Sequence, residues 1–326
     1  MNPDELKLLD ETLLGLAEAE QNGRLSAALD AFGWLDVLAV EPRAAIVSLF
    51  RAQGRNCQWS AALQDVLATD LARLGVEGNA NVVLPRPNSP VAGAWDDGGG
   101  VALTGLLLDP RDISSTLVAL VRSSDTDRLL IIAAEPTDLF VTPLLGLDPE
   151  LGAYRVSGTV DRPNVLAEGE EATRWWQAAQ ARGRLGLCHQ MVASLFVMIE
   201  LARSHVSDRV QFGRFVGTFQ AVRHKLAEAH VVSTAAECSA ITAWEADDQV
   251  LAAATAKLIT GRAVSVTAAH TQQLLAGIGF TAEHPYHRFM KRTLVLERML
   301  GSAHELAPEV GRRLIERAEA PRLVQL

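Results

Sequence analysis

The chain has 326 residues, 48% hydrophobic and 21% charged, which allows a sizeable core and excludes a disordered segment. Thirty Lys and Arg against 39 Asp and Glu leave a net charge of −9, so neither nucleic acid nor an anionic membrane is an expected partner. The three cysteines, Cys57, Cys188 and Cys238, are far apart and never in CxxC spacing; no disulfide framework and no structural metal are expected, and the thiols read as reduced in a cytoplasmic protein.

The N-terminus is acidic and has no apolar signal-peptide core. Residues 1–75 read as a helical domain. Leu6, Leu9, Leu13 and Leu16 recur at helical spacing, 44–50 and 61–74 continue the pattern, and Pro42 and Gly54 punctuate it. Residues 76–164 are rich in proline and hold short β-prone runs at 81–84, 101–108, 116–121 and 128–134; they read as a small, mostly antiparallel β domain. Gly98 to Gly100 reads as a hairpin turn rather than a phosphate loop, because no Lys-Ser/Thr follows it. Residues 165–326 read as a bundle of long helices, about 170–206, 219–245, 247–271 and 285–300, with breaks at Ser207-Asp208, near Asp247-Asp248 and at Gly277-Ile-Gly, and a tail after Pro308. The longest apolar stretch, about 191–202, is interrupted by Glu200 and falls short of the roughly 20 residues that span a bilayer. The predicted fold class is α+β, mainly α, in α–β–α order.

Two segments between these helices carry polar chemistry. The first runs from Asp208 through Arg209, Gln211, Phe212, Gly213, Arg214, Gly217, Phe219 and Gln220. Its glycines permit a tight turn, and its arginines suit bidentate contact with a pyrophosphate. The second runs from Gln272 and Gln273 through Gly277 and Gly279 to Phe280, where glycines let backbone amides approach a ligand closely. His284 and His287 lack a third ligand, Trp175 and Trp176 read as packing residues, and Cys188 and Cys238 as small core hydrophobes.

In this order the two segments resemble the acyl-CoA dehydrogenase family. Arg209, Gln211, Phe212, Gly213 and Gln220 fit its R-x-Q-F-G-(R/K)-x-x-G-x-x-Q run. Gln273, Gly277, Gly279 and Phe280 fit its Q-x-x-G-G-x-G-F run, with Ala276 in place of one glycine. Ala31-Phe-Gly-Trp-Leu and Phe50-Arg-Ala-Gln-Gly-Arg are similar to its N-terminal helices. The resemblance implies a helical domain, a β domain and a C-terminal four-helix bundle, and α,β-dehydrogenation of an acyl-CoA. It implies an FAD shared at a subunit interface, with Arg209, Gln211, Phe212, Phe219, Gln220, Gln273 and Gly277 touching a neighbour's cofactor, and an electron-transfer flavoprotein as acceptor.

The chain departs from the family twice. The two positions that correspond to its catalytic glutamate fall on Leu300 and Gly183, neither of which takes up a proton; Glu297, one turn earlier, is a weak substitute. The β stretch also lacks the family's T-E-P-x-x-G-S-D and W-I-T runs, which cradle the flavin ring. Both departures resemble the shorter, non-catalytic subunit of the family's α2β2 heterotetramers, some of which act on steroid side-chain CoA thioesters. A longer partner would then supply the base. Two other readings stay open: a self-sufficient homo-oligomer using Glu297, and a redox-inactive scaffold of the same fold.

Overall fold

The computed structural model describes residues 1–20, 25–76, 80–95, 99–110, 112 and 114–317. Five helices come first: α1 (Pro3–Ala19), α2 (Leu25–Phe32), α3 (Trp34–Val40), α4 (Pro42–Asn56) and α5 (Ala62–Leu71). A reciprocal cap starts α1, where the Glu5 amide donates to Asn2 Oδ1 at 2.9 Å and the Asn2 amide to Glu5 Oε2 at 2.8 Å. Pro42 opens α4, where its missing N–H costs nothing. Gly54 does not break α4, contrary to expectation. It lies inside the helix, at a close crossing with a later one.

The sheet follows: β1 (Asn81–Pro85), β2 (Gly93–Trp95), β3 (Gly100–Leu108), β4 (Leu117–Ser123), β5 (Leu129–Ala134), β6 (Leu139–Pro143), β7 (Ala153–Asp161) and β8 (Asn164–Glu168). The order is β6-β7-β3-β1-β4-β5-β8, with β2 paired to both β3 and β4. Pairing is mostly antiparallel, as expected, but β4 runs parallel to β1 and to β2. The β2–β3 pairing sets Trp95 opposite Val101, the antiparallel arrangement of the expected hairpin. Residues 96–98 of that connection lie outside the described residues. One face of the sheet closes a core of Val83, Leu103, Val121, Ile132 and Val156.

The remaining helices are α6 (Gly169–Asp208), α7 (Gln220–Thr242), α8 (Gln249–Leu275), α9 (Tyr286–Arg298) and α10 (Ala303–Arg317), and a two-residue hairpin, β9 (Val210–Gln211) and β10 (Arg214–Phe215), joins α6 to α7. Asp248 caps α8 by accepting from the Leu251 amide at 3.0 Å. The tail expected after Pro308 is instead the continuation of α10, which runs through that proline. The fold is therefore mainly helical with one small sheet.

The chain divides into two compact units that are discontinuous in sequence. One comprises Met1–Glu18, Val47–Gln58 and the chain from Arg184 onward; the other comprises Ala19–Ile46 and Trp59–Gly183. The first 75 residues thus contribute to both, so the three consecutive zones read from the sequence do not coincide with these units. In the second unit, Gln64 on α5 pairs with Val82 of β1 through both its amide groups, at 2.7 and 3.2 Å, and Trp34 donates to Asp65 at 3.0 Å. These bonds tie the short helices to the sheet's own unit.

Two helical stretches, Gly169–Asp208 and Gln249–Phe280, are long and apolar enough to cross a membrane by length and composition. Their most apolar windows are 78% and 61% buried inside the protein, as core helices of a bundle are. The sequence expectation of no such stretch is corrected on length, because charged residues at helix turns do not interrupt the apolar average.

Candidate functional site at one end of the bundle

Helices α7 and α8 lie side by side. His270 and Glu228 meet at 2.9 Å and Ser233 and Thr267 at 3.1 Å, so the pair runs antiparallel. Carrying that register forward sets the start of α7, at Gln220, beside the end of α8, where a 3-10 turn (Ala276–Phe280) follows. His205, near the end of α6, belongs to the same end. Burial first, and then the charges of Arg209 and His284, hold its pKa below the ordinary value. The two segments singled out in the sequence are therefore brought together.

The hairpin is held by its backbone, with Val216 N–H donating to Arg209 O at 2.8 Å, while its side chains stand in solvent. Phe212 is 93% exposed with φ 52°, next to Gly213 at φ 73°. Its ring meets Phe219 edge-on at 6.3 Å, and the Arg214 guanidinium lies 4.0 Å from the Phe219 ring centre. Gln211 bonds only its own neighbour, Val210 O, at 2.8 Å. Arg209, Gln220 and Gln273 are exposed and make no side-chain hydrogen bond or ion pair among the described residues. A guanidinium and two amides left unspent on protein are suited to a ligand with phosphate and heterocyclic acceptors.

Beyond the end of α8, a groove of about 600 Å³ is lined by Ala268, Gln272, Gln273, Ala276, Phe280 and Met290. Gln272 was not singled out as a ligand contact in the sequence, yet its Oε1 is buried without a partner while its Nε2 donates to Ala276 O at 3.3 Å. Gly279 leaves room for that amide: a Cβ there would meet Gln272 Nε2 at 2.7 Å. Gly277 is exposed and has open space about it.

Ala276 itself is held at φ 52°, ψ −133°, a conformation populated almost only by glycine. Ala276→Gly is therefore expected to raise stability by about 1 kcal/mol, the relieved strain outweighing the extra freedom of the unfolded chain. Urea denaturation checks this; a loss of stability would show that the alanine backbone is relaxed.

The position that the resemblance assigns to a base looks different. Leu300 is 8% exposed, has φ 56°, and its carbonyl accepts from Arg184 Nε at 2.8 Å. Lys257 Nζ donates to Glu297 O at 2.7 Å and to Gly301 O at 3.1 Å. Two buried cations thus hold three carbonyls of the turn between α9 and α10. Burial lowers the Arg184 pKa, and pushes that of Lys257 down to about 8. Cys188, in the same cluster, is pushed up to about 11 by burial. Glu297 caps α10: its Oε1 accepts from the Ala303 amide at 2.7 Å, and Arg298 lies 3.3 Å from its Oε2. That carboxylate is committed to the start of α10. Gly183 is buried within α6.

Other sequence readings fare unevenly. His284 and His287 serve the start of α9, His284 Nδ1 facing the Tyr286 amide at 3.3 Å and His287 Nδ1 facing His284 O at 2.7 Å. Cys188 is buried as expected, but Cys238 is exposed on α7, because its position faces away from the small-residue stripe Ala229, Ser233, Ala236 and Ala240 that packs. Trp176 is buried, whereas Trp175 is half-buried between Arg73 and Arg174, 5.9 and 5.4 Å from its ring centre.

Residues 173–315 match the family model described as acyl-CoA dehydrogenase, C-terminal domain. The chain is 31% identical to the acyl-CoA dehydrogenase IpdE2 of Mycobacterium tuberculosis over 213 residues, which cover 64% of this chain and 61% of that relative's length. Among solved structures, a chain of the ChsE4-ChsE5 complex from Mycobacterium tuberculosis superposes with a TM-score of 0.75 at 20% identity, covering 98% of this chain and 99% of that one. The Tcur3481-Tcur3483 steroid ACAD superposes with a TM-score of 0.76 at 20% identity, covering 97% and 99%. Over residues 173–315 the chain is therefore similar to the C-terminal domain of acyl-CoA dehydrogenases, and it spans about three fifths of the length of the IpdE2 relative.

Proposed function

We propose that this chain is the non-catalytic subunit of a heteromeric, FAD-dependent acyl-CoA dehydrogenase. The observation that carries the reading is the base position: Leu300 stands in a fixed, buried turn, and Glu297 beside it is spent on capping α10. A longer acyl-CoA dehydrogenase subunit then supplies the carboxylate, in an α2β2 assembly. The naming of two proteins in each of the ChsE4-ChsE5 and Tcur3481-Tcur3483 structures supports a two-subunit arrangement. The substrate would be an acyl-CoA, with steroid side-chain thioesters as one class, the acceptor an electron-transfer flavoprotein, and the location cytoplasmic.

The residues fit an FAD held from this side of an interface. The orphaned Gln272 oxygen awaits a donor, and the unspent groups of Arg209, Gln220 and Gln273 suit the dinucleotide. Bound FAD would accept a hydride from the acyl β-carbon as the partner's base removes the α-proton. This chain's part is binding and orientation: Arg209 neutralises pyrophosphate charge, Gln211, Gln220 and Gln273 offer amides, and Phe212 and Phe219 exclude water from the contact.

The test is spectral. The chain expressed alone is expected to be colourless, and to become part of a yellow complex on co-expression with the longer subunit. Arg209→Ala is expected to weaken flavin retention by the complex about tenfold or more, the loss of a charge-assisted contact of roughly 1.5–3 kcal/mol. Stoichiometric FAD on the chain alone would refute the reading, as would an Arg209→Ala complex that keeps its flavin on gel filtration.

A further inference from the structure

A second cavity, of about 670 Å³, opens among α1, α4, α6 and α7, and its lining residues all belong to the unit that contains the chain from Arg184 onward. Its size falls in the range of small-molecule sites, roughly 300–1,000 Å³. One wall is a face of α6 on which Val192, Phe196, Val197 and Leu201 recur at helical spacing, with Leu14 of α1 beside them. That wall favours an apolar body.

The charges at the mouth are not equivalent. Arg51 is paired with Glu237 at 3.2 Å, and Glu200 takes both bonds of Arg203, at 2.7 and 2.6 Å, so these charges are largely spent. Arg55, one turn after Arg51 on α4, lines the cavity and makes no side-chain hydrogen bond or ion pair among the described residues. Beside it, Asn56 uses one amide proton on Ala52 O at 3.1 Å and keeps its other. Among the residues lining the cavity, the remaining acid is Glu18 on α1. One open guanidinium and one open amide proton suit a planar, singly charged acceptor, and the neighbouring carboxylates disfavour a doubly charged phosphate.

We infer that this cavity binds an apolar carboxylate, its tail along Val192, Phe196, Val197 and Leu201 and its head on Arg55 with Asn56. The inference does not rest on the flavin reading. Calorimetric titration of the full chain with decanoate, and with decanol as the uncharged match, tests it. Decanoate is expected to bind one per chain and at least tenfold more tightly than decanol. Arg55→Glu is expected to abolish that preference and to leave decanol unchanged, and Val197→Trp, which fills the cavity, to lose both. Equal binding of the two, decanoate binding indifferent to Arg55→Glu, or binding retained by a folded Val197→Trp would overturn the site. If Val197→Trp loses its helical circular dichroism, the Arg55→Glu comparison decides alone.

Discussion

Gly54→Ala is expected to destabilise the protein by about 3 kcal/mol, although alanine ordinarily favours a helix by about 1 kcal/mol over glycine. A Cβ at 54 would stand 2.2 Å from the carbonyl oxygen of Gln190 and 2.8 Å from Ala193 Cβ, so α4 and α6 touch there backbone to backbone. The contact cannot open locally. Ser194 Oγ donates to Gly54 O at 2.9 Å, Gln190 Nε2 donates to Gln58 O at 3.1 Å, and Arg292 donates to the same oxygen at 2.9 Å. A few residues along, Phe50 packs against Gly186, where a Cβ would meet its ring at 3.0 Å. Gly15→Ala in α1 is the matched control, since a Cβ there meets nothing within 4 Å; it is expected to gain up to about 1 kcal/mol. Urea denaturation of both variants checks the pair, and a Gly54→Ala protein as stable as the Gly15→Ala one would show that the helices have room to separate.

The second large effect is a pH dependence centred on Lys257. Burial lowers its folded pKa from 10.5 to about 8, so between those values the unfolded chain carries a proton that the folded one has lost. Stability therefore rises with pH across that window, by roughly 1.4 kcal/mol per unit and about 3 kcal/mol in all. Cys188 acts in the opposite sense. Its pKa rises from 9 to about 11, so above pH 9 the unfolded chain loses a proton that the folded one keeps, and stability falls. Wild-type stability is thus expected to climb from pH 8 to 9, flatten as the two titrations oppose each other, and fall toward 11. Lys257→Met is expected to remove the climb and leave the fall. Unfolding curves at half-unit steps of pH decide it; parallel profiles for wild type and Lys257→Met would show that the amine titrates normally.

Much of the architecture is legible in the residues. The four long C-terminal helices and strands β1, β3, β4 and β5 lie close to where periodicity and β-prone runs place them. Strand β7 is missed because Ala153–Asp161 mixes Arg155, Ser157 and Thr159 with its apolar residues and packs along the whole length of β3, a partner distant in sequence. Gly54 and Pro308 read as breaks because local propensity says so; close packing keeps one inside a helix, and α10 accommodates the other. At the candidate site, Arg209 to Gln220 and Gln273 to Gly277 are singled out in the sequence through the family resemblance. Gln272 is hidden beside Gln273, since only burial distinguishes two adjacent amides. The Arg184 and Lys257 grip on residues 297–301 is also hidden, because its contacts span 40 to 116 positions in the chain. A faint signal existed: Lys257 is one of only four lysines, set among alanine and leucine.

That grip bears on how such a chain can diverge. Arg184 and Lys257 hold carbonyl oxygens, which every amino acid provides, so the path of the turn does not depend on the side chain at 300. A lineage can exchange a carboxylate for leucine there and keep the turn, and with it the packing of α9 and α10. A change of residue at this position is separable from a change of fold.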